Sequence, residues 1–275
     1  MNDAIMRVHD QCPGLTERTI GAARSASGQS SYEILCDMAG GISGKTVVDL
    51  ACGSGPLSEI IACRIGATGR LLGVDLNASE LQLAKQRLAG VANASFIQAD
   101  ASATSIPSAS VDVVLCHMAF MLFNPPMPVV NELARMLKSG GIFVAVIPAL
   151  REPSQIFKAL MGSLMNAVKS ENPQELSSIQ SIPELKDANG LRGLFSLQNG
   201  FNPKIRIESV DVSLRGSPAE LAEQALPGFY SSHLLSPLAL SQVKAEWQAA
   251  LEQSAQTYGE AVLPLPLSAF IAARI

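Results

Sequence analysis

Three aspartates are spaced for chemistry. Asp49, Asp75 and Asp100 are separated by 26 and 25 residues, and each follows an apolar run: Val47-Val48, Leu71-Leu72-Gly73-Val74 and Phe96-Ile97. That interval is one strand–helix step. In an open parallel sheet, ligands bind at the carboxyl ends of the strands, so three carboxylates arriving there call for a ligand with several hydrogen-bond donors. Asp75 lies 20 residues beyond Gly55, the distance at which an acid accepts both hydroxyls of a ribose. Asp100 is placed to accept from the exocyclic amine of a purine. The turn after Asp49, Ala51-Cys52-Gly53-Ser54-Gly55-Pro56, supplies the rest. Gly53 and Gly55 can take backbone angles closed to other residues and let a ligand approach the main chain. Pro56 suits a first helical turn, whose free N–H groups face whatever lies above. The set describes an adenosine whose tail lies over the turn, with Asp49 facing that tail. The plainer reading, that these acids merely cap helices, does not account for their register with the strand period.

Other nucleotide folds fit less well. A dinucleotide fingerprint needs a third glycine where this chain has Ser58, and Asp100 has no place in it. No Gly-Lys-Ser/Thr follows the turn, which excludes a phosphate-binding P-loop.

The elements that must position these residues follow from periodicity. Residues 1–40 read as helical, with a break over 23–28 and a stop at Gly40-Gly41. Strands are expected at 46–50, 71–75, 95–98, 111–115 and 142–147, with helices after the first, second and fourth. The helix before the fifth strand carries Val129, Leu133, Met136 and Leu137, with Lys138 in its last turn and Gly140 as its stop. This alternation implies βαβ crossovers and a mostly parallel sheet covered on both faces. Beyond Pro148 a helix is expected over 151–170, then a polar stretch over 171–200 with short helical pieces. A strand over 204–214 follows, bulged where its alternation shifts phase at Glu208-Ser209. Helices over 218–225 and around Leu240, Val243, Trp247 and Leu251, and a last strand over 265–275, close the chain.

These motifs resemble those of class I S-adenosylmethionine-dependent methyltransferases, closely over about 46–147 and most of all the ubiquinone/menaquinone group that alkylates small molecules. Asp49-Leu50-Ala51-Cys52-Gly53-Ser54-Gly55 is similar to the first family motif, with Ala51 where many members carry glycine. Gly73-Val74-Asp75-Leu76 resembles the second, Gln98-Ala99-Asp100-Ala101 the adenine-binding one, Leu115-Cys116-His117-Met118 the fourth-strand segment beside the methionine moiety, and 137–141 the approach to strand five. The resemblance implies an α/β, Rossmann-like sheet of seven strands in the order 3-2-1-4-5-7-6, strand seven antiparallel. It implies one domain: a helical lid over 1–44, a cofactor-binding core over 45–150, and lid insertions with the last two strands over 151–275. The cofactor is then S-adenosyl-L-methionine, held by Asp49, Ala51, Cys52, Gly53, Ser54, Gly55, Asp75, Leu76, Asp100, Ala101, His117 and Tyr32.

Methyl transfer from a sulfonium is an in-line displacement, and the enzyme's task is alignment and exclusion of water. His117 is the candidate base, and Tyr32 the aromatic that would touch the cofactor tail. The run 118–123, with Met161 and Met165, would give an adaptable apolar pocket. Phe229, Tyr230 and His233 belong to the late lid, Phe229 as ordinary packing. Asn124-Pro125-Pro126 is followed by Met127 and lacks the aromatic of amino-methylating enzymes. The expected function is methylation of a small, largely apolar metabolite in small-molecule biosynthesis or secondary metabolism. Two alternatives stand beside it: intramolecular cyclisation of the cofactor to azetidine-2-carboxylate with release of methylthioadenosine, and a non-catalytic cofactor-binding regulator.

Composition bounds the partners. Of 275 residues, 48% are hydrophobic and 16% charged, with a net charge of −4, which argues against a nucleic-acid face. The longest uncharged apolar run, 113–123, is short for a membrane span, and no signal peptide is read at the start. Five scattered cysteines and three distant histidines point to reduced thiols in a cytoplasmic protein without a metal site. A monomer or homodimer is expected.

Overall fold

The computed structural model describes residues 3–174 and 182–275; part of the polar stretch over 171–200 therefore lies outside the described residues. Ahead of the sheet come α1 (Asp3–Gln11), α2 (Leu15–Arg18) and α3 (Ser31–Met38). Then follow β1 (Thr46–Leu50), α4 (Pro56–Ile65), β2 (Arg70–Asp75), α5 (Ala78–Arg87), β3 (Ala94–Gln98), β4 (Val111–His117), α6 (Met127–Met136) and β5 (Leu137–Pro148). The second half adds α7 (Gln155–Glu171), α8 (Ala188–Leu194), β6 (Arg206–Gly216), α9 (Pro218–Ala225), α10 (Pro237–Tyr258) and β7 (Ala261–Ala273). The seven strands form one sheet in the order β3-β2-β1-β4-β5-β7-β6. β7 runs antiparallel to both of its neighbours, and the other pairings are parallel. Architecture and strand order are those expected.

Alternation along the strands divides the core into two layers. Val47, Leu71, Val113 and Leu115 face one side, against Leu35 of α3, Leu57 and Ile61 of α4, Leu160 of α7 and Trp247 of α10. Val48, Leu72, Val114 and Cys116 face the other, against Val129 and Leu133 of α6 and Leu191 and Leu194 of α8. There Phe120, Phe143, Phe195 and Phe270 form a cluster with ring centroids 5.4–5.8 Å apart. Trp247 is fully buried and donates its indole N–H to Leu160 O at 2.8 Å, tying α10 to α7. An N-cap with a three-dimensional consequence starts α3. Ser30 Oγ accepts from Glu33 N, and Glu33 returns the bond to Ser30 N at 2.7 Å. Such a capping box contributes about 1 kcal/mol, here to the helix that carries Ser31 and Tyr32.

The structure departs from the sequence reading in four places. α6 ends at Met136, so Leu137 and Lys138 open β5. Leu137 takes an extended conformation and pairs with Val111, while Lys138 reaches Asp112 at 2.7 Å. No bulge interrupts β6, which pairs with β7 in unbroken register from Arg206↔Ile271 to Gly216↔Ala261. The phase shift arises because Ile207 packs into the α6/α8 layer and Val210, Val212 and Leu214 into the other. β7 begins at Ala261, ahead of the expected 265, and so includes Pro264 and Pro266. β5 stops pairing at Pro148↔Leu267, and Pro266 O accepts from Ala149 N, so both prolines direct their missing N–H toward ground that β5 does not cover. Finally, the first part of the lid insertions expected within 151–275 is divided. α7 lies on the α3/α4 side, whereas α8 and Phe195 pack on the opposite face of the sheet.

Candidate active site

Register alone brings the candidate residues together. Asp49 on β1 sits beside Gly73 on β2 and Leu115 on β4. Two residues further along those neighbours, on the same face, come Asp75 and His117. The chain then leaves β1 through Ala51, a non-glycine residue at φ 58°, a conformation that costs such residues free energy. Ala51 stands where the first motif more often has glycine, so the strain is that of the turn itself.

The two glycines of the turn do different things. A Cβ added at Gly53 (φ 53°) would have one near neighbour, Glu80 Oε2 at 3.8 Å, so the space above it is open to a ligand. A Cβ at Gly55 (φ 84°) would meet Ala84 Cβ and Cα at 3.0 and 3.1 Å. Gly55 therefore lets α4 lie close on α5 and lines no hollow. Ser58, read from sequence only as an absent glycine, donates to Asp49 Oδ2 at 2.6 Å.

Two hollows open at this sheet edge, of about 670 and 660 Å³. The first is lined by Tyr32, Asp49, Cys52, Gly53, Ser54, His117, Met118 and Leu122, and also by His9, Gly14, Glu17, Glu80 and Tyr230. The second is lined by Leu76, Asp100, Ala101, Ser102, Phe123, Asn124, Pro125 and Val129. Ala51 and Asp75 belong to both. A bipartite ligand lying across Asp75 would thus reach into each.

Burial sets the charge states. Asp49 is 1% exposed, and desolvation outweighs the Ser58 bond to hold its carboxyl at about 7. Desolvation also raises Asp75, against the N–H groups of Asn77 and Gly53 that it accepts at 2.8 Å each. Asp100 is exposed and lowered by Ser102, whose hydroxyl and N–H both bond its Oδ1. Desolvation drives His117 down to about 3, so its imidazole is neutral, with Nε2 2.8 Å from Ser31 Oγ. Tyr32 lies 3.9 Å from it, ring centroid to centroid, and burial keeps its phenol protonated.

A family model described as a methyltransferase domain matches residues 48–145. Over that segment the chain matches a methyltransferase domain, and its strand order is the one that the resemblance to class I S-adenosylmethionine-dependent methyltransferases implies. It is 28% identical over 167 residues to a demethylmenaquinone methyltransferase of Lactococcus lactis, covering 57% of this chain and 66% of that protein. It is 36% identical over 131 residues to a ubiquinone biosynthesis O-methyltransferase of Nitrosomonas europaea, covering 46% and 53%. The chain thus matches between half and two thirds of the length of these relatives. Its fold is similar to that of the YcgJ protein of Bacillus subtilis, with a TM-score of 0.59 at 16% identity over 89% of this chain and 97% of that one.

The methyltransferase domain fits its cofactor on chemistry visible here. An open backbone cradle at Gly53 adjoins a buried acid at a strand end, and an exposed acid with a free-standing oxygen lies one strand further out. Of the residues singled out from sequence, those from Ala51 to Ser54, with Tyr32, Asp49, Asp75, Leu76, Asp100, Ala101 and His117, line one hollow or both; Gly55 lines neither. Met161 and Met165 lie on α7 outside both linings, and Phe229 packs on Trp247 and Phe157. His233 is exposed and donates from Nε2 to Pro227 O. Sequence reasoning missed His9, Glu17 and Glu80, and it passed over Asn124 and Pro125, which border the second hollow. Nothing in their spacing marks them. Among the described residues no cluster of His, Cys, Asp and Glu could hold a metal ion, and no helix is long and apolar enough to cross a membrane.

Proposed function

We propose that this chain transfers the methyl group of S-adenosylmethionine to a small, largely apolar acceptor. The observation that carries the reading is the pair of hollows that meet at Ala51 and Asp75. In this reading the second hollow takes the adenine, with Asp100 accepting from its amine. Asp75 accepts from the ribose hydroxyls with the lone pairs that Gly53 and Asn77 leave over, and the first hollow takes the amino-acid tail above Gly53. The names of the curated relatives, both concerned with quinone biosynthesis, support an acceptor of aromatic or quinol type.

When bound, the cofactor supplies an electrophilic methyl group on a sulfonium. The chain's own residues supply alignment and a dry wall. Met118, Leu122, Tyr32 and His117 present apolar or neutral surface, which excludes water from the line of attack. A base whose conjugate acid sits at about 3 takes a proton poorly at neutral pH. His117 therefore serves as a neutral hydrogen-bonding wall, anchored through Ser31, rather than as the candidate base. An acceptor that reacts as an already ionised phenolate, or at carbon, suits such a site.

The test has two arms. Calorimetry with S-adenosylhomocysteine should show one binding site per chain. Incubation with S-adenosylmethionine and a panel of small quinols and phenols should release S-adenosylhomocysteine only when an acceptor is present. Methylthioadenosine formed without acceptor would overturn methylation in favour of cyclisation, and absence of binding would overturn every cofactor-based reading.

A further inference from the structure

Three residues that the sequence scatters meet at the rim of the first hollow. His9 of α1 places Nδ1 2.7 Å from Glu80 Oε1 and Nε2 2.8 Å from the Tyr230 hydroxyl. Gly14 N–H donates to both oxygens of Glu80 at 3.0 Å. Glu80 is thus the acceptor on this side, which assigns the His9 proton to Nδ1 and leaves Nε2 to accept from Tyr230. Burial pushes the Tyr230 phenol up to about 12, so it remains a donor. The result is a phenol–imidazole–carboxylate chain across three separate parts of the fold.

Glu80 is 2% exposed and sits in the first turn of α5. Its own N–H is held by Asn77, whose N–H in turn is held by Asp75. It also lies against the glycine turn, 3.8 Å from where a Cβ on Gly53 would be. The segment 3–18 adds three further polar ties. Asp10 accepts from Asn77 Nδ2 at 2.7 Å, and Glu17 accepts from Ser54 Oγ and from Arg87 at 2.7–2.8 Å. Its apolar anchorage among the described side chains is small, with Val8 and Leu15 buried. A segment fastened by hydrogen bonds rather than by core packing opens at low cost.

We propose that His9 is a positioning residue for the cofactor, clasping residues 3–18 over the first hollow and steadying the α5 turn that carries the nucleoside-binding groups. The proposal rests on the methyltransferase reading of the site. It adds to the site a strap that lies entirely outside the matched segment 48–145. Entry and exit of the cofactor then require the clasp to part, and its strength sets the dissociation rate.

His9→Ala tests this, with Tyr230→Phe as a second variant that leaves every Glu80 contact in place. S-Adenosylhomocysteine is the probe, with affinity read by calorimetry and dissociation by stopped-flow fluorescence. Loss of two part-buried hydrogen bonds is expected to raise Kd and the dissociation rate by about tenfold in His9→Ala, and by less in Tyr230→Phe, without a matching fall in melting temperature. His9→Asn, whose amide can still donate to Glu80, is expected to recover part of the affinity. Hydrogen exchange over residues 3–18 should slow on adding the probe to the wild type, and much less in His9→Ala. Wild-type affinity and dissociation rate in both variants would overturn the clasp. Should the wild type itself not bind the probe, the methyltransferase reading fails instead. The clasp then stands or falls on whether His9→Ala speeds exchange over 3–18 in the free protein.

Discussion

Asp49 and His117 pull the pH dependence of stability in opposite directions. Burial holds Asp49 at about 7, above its unfolded value, so its stabilising contribution is full below the ordinary carboxylate range and is lost as pH rises toward 7. His117 is pushed down to about 3, so its contribution is full above the ordinary imidazole range and is lost as pH falls through that range toward 3. Asp49→Asn keeps the shape and an acceptor for Ser58 but cannot ionise. Its melting temperature is expected to decline less than that of the wild type between about pH 5 and pH 8, as scanning calorimetry will show. Asp75→Ala removes the acceptor shared by both hollows. It is expected to weaken S-adenosylhomocysteine binding by about 30- to 100-fold, the worth of one or two bonds to a charged group, with an unchanged far-ultraviolet circular dichroism spectrum. The acids were legible because their spacing repeats the strand–helix interval, a local property of the chain. The His9–Glu80–Tyr230 chain was not, because its members lie 71 and 221 residues apart and only the tertiary fold gives them a common rim.

At the scale of elements, Gly55 separates packing from binding. Gly55→Ala places a methyl group 3.0 Å from Ala84 and forces a left-handed conformation on alanine. It is expected to cost about 1–3 kcal/mol, seen as a lower urea midpoint, while the folded variant keeps its affinity for S-adenosylhomocysteine. The first four parallel strands were readable within a residue or two, since each is an apolar run bounded by turn residues. The α6–β5 junction was not, because Leu137 continues the helical apolar spacing while its pairing with Val111 makes it a strand. The supposed bulge in β6 failed for a related reason. Periodicity reports which side of a strand is covered, and β6 exchanges its covered side midway without losing register.

Across the whole molecule, the late helices form a layer of their own on the α3/α4 side, and Trp247 is its keystone. Trp247→Ala is expected to cost about 3–5 kcal/mol, measured by denaturant titration followed by circular dichroism. Trp247 is the chain's single tryptophan, so wild-type fluorescence should be that of a buried indole and should shift to the red as α7 and α10 part. That layer was legible as helices from periodicity, and as a lid over the site only through the family resemblance. The residues that seat it, Tyr230 among them, carry no spacing signal relative to the core they meet.

The two prolines of β7 bear on how the folded chain meets other chains. The first residues of this strand project past the end of β5 with one side unpaired, and an unpaired strand is an invitation to a foreign one. A strand approaching from that side would find no donor at Pro264 or Pro266, and the Pro266 carbonyl already accepts from Ala149 N. The longest strand of the sheet thus carries its own guard against templated aggregation at an interior position where the sheet leaves a ledge.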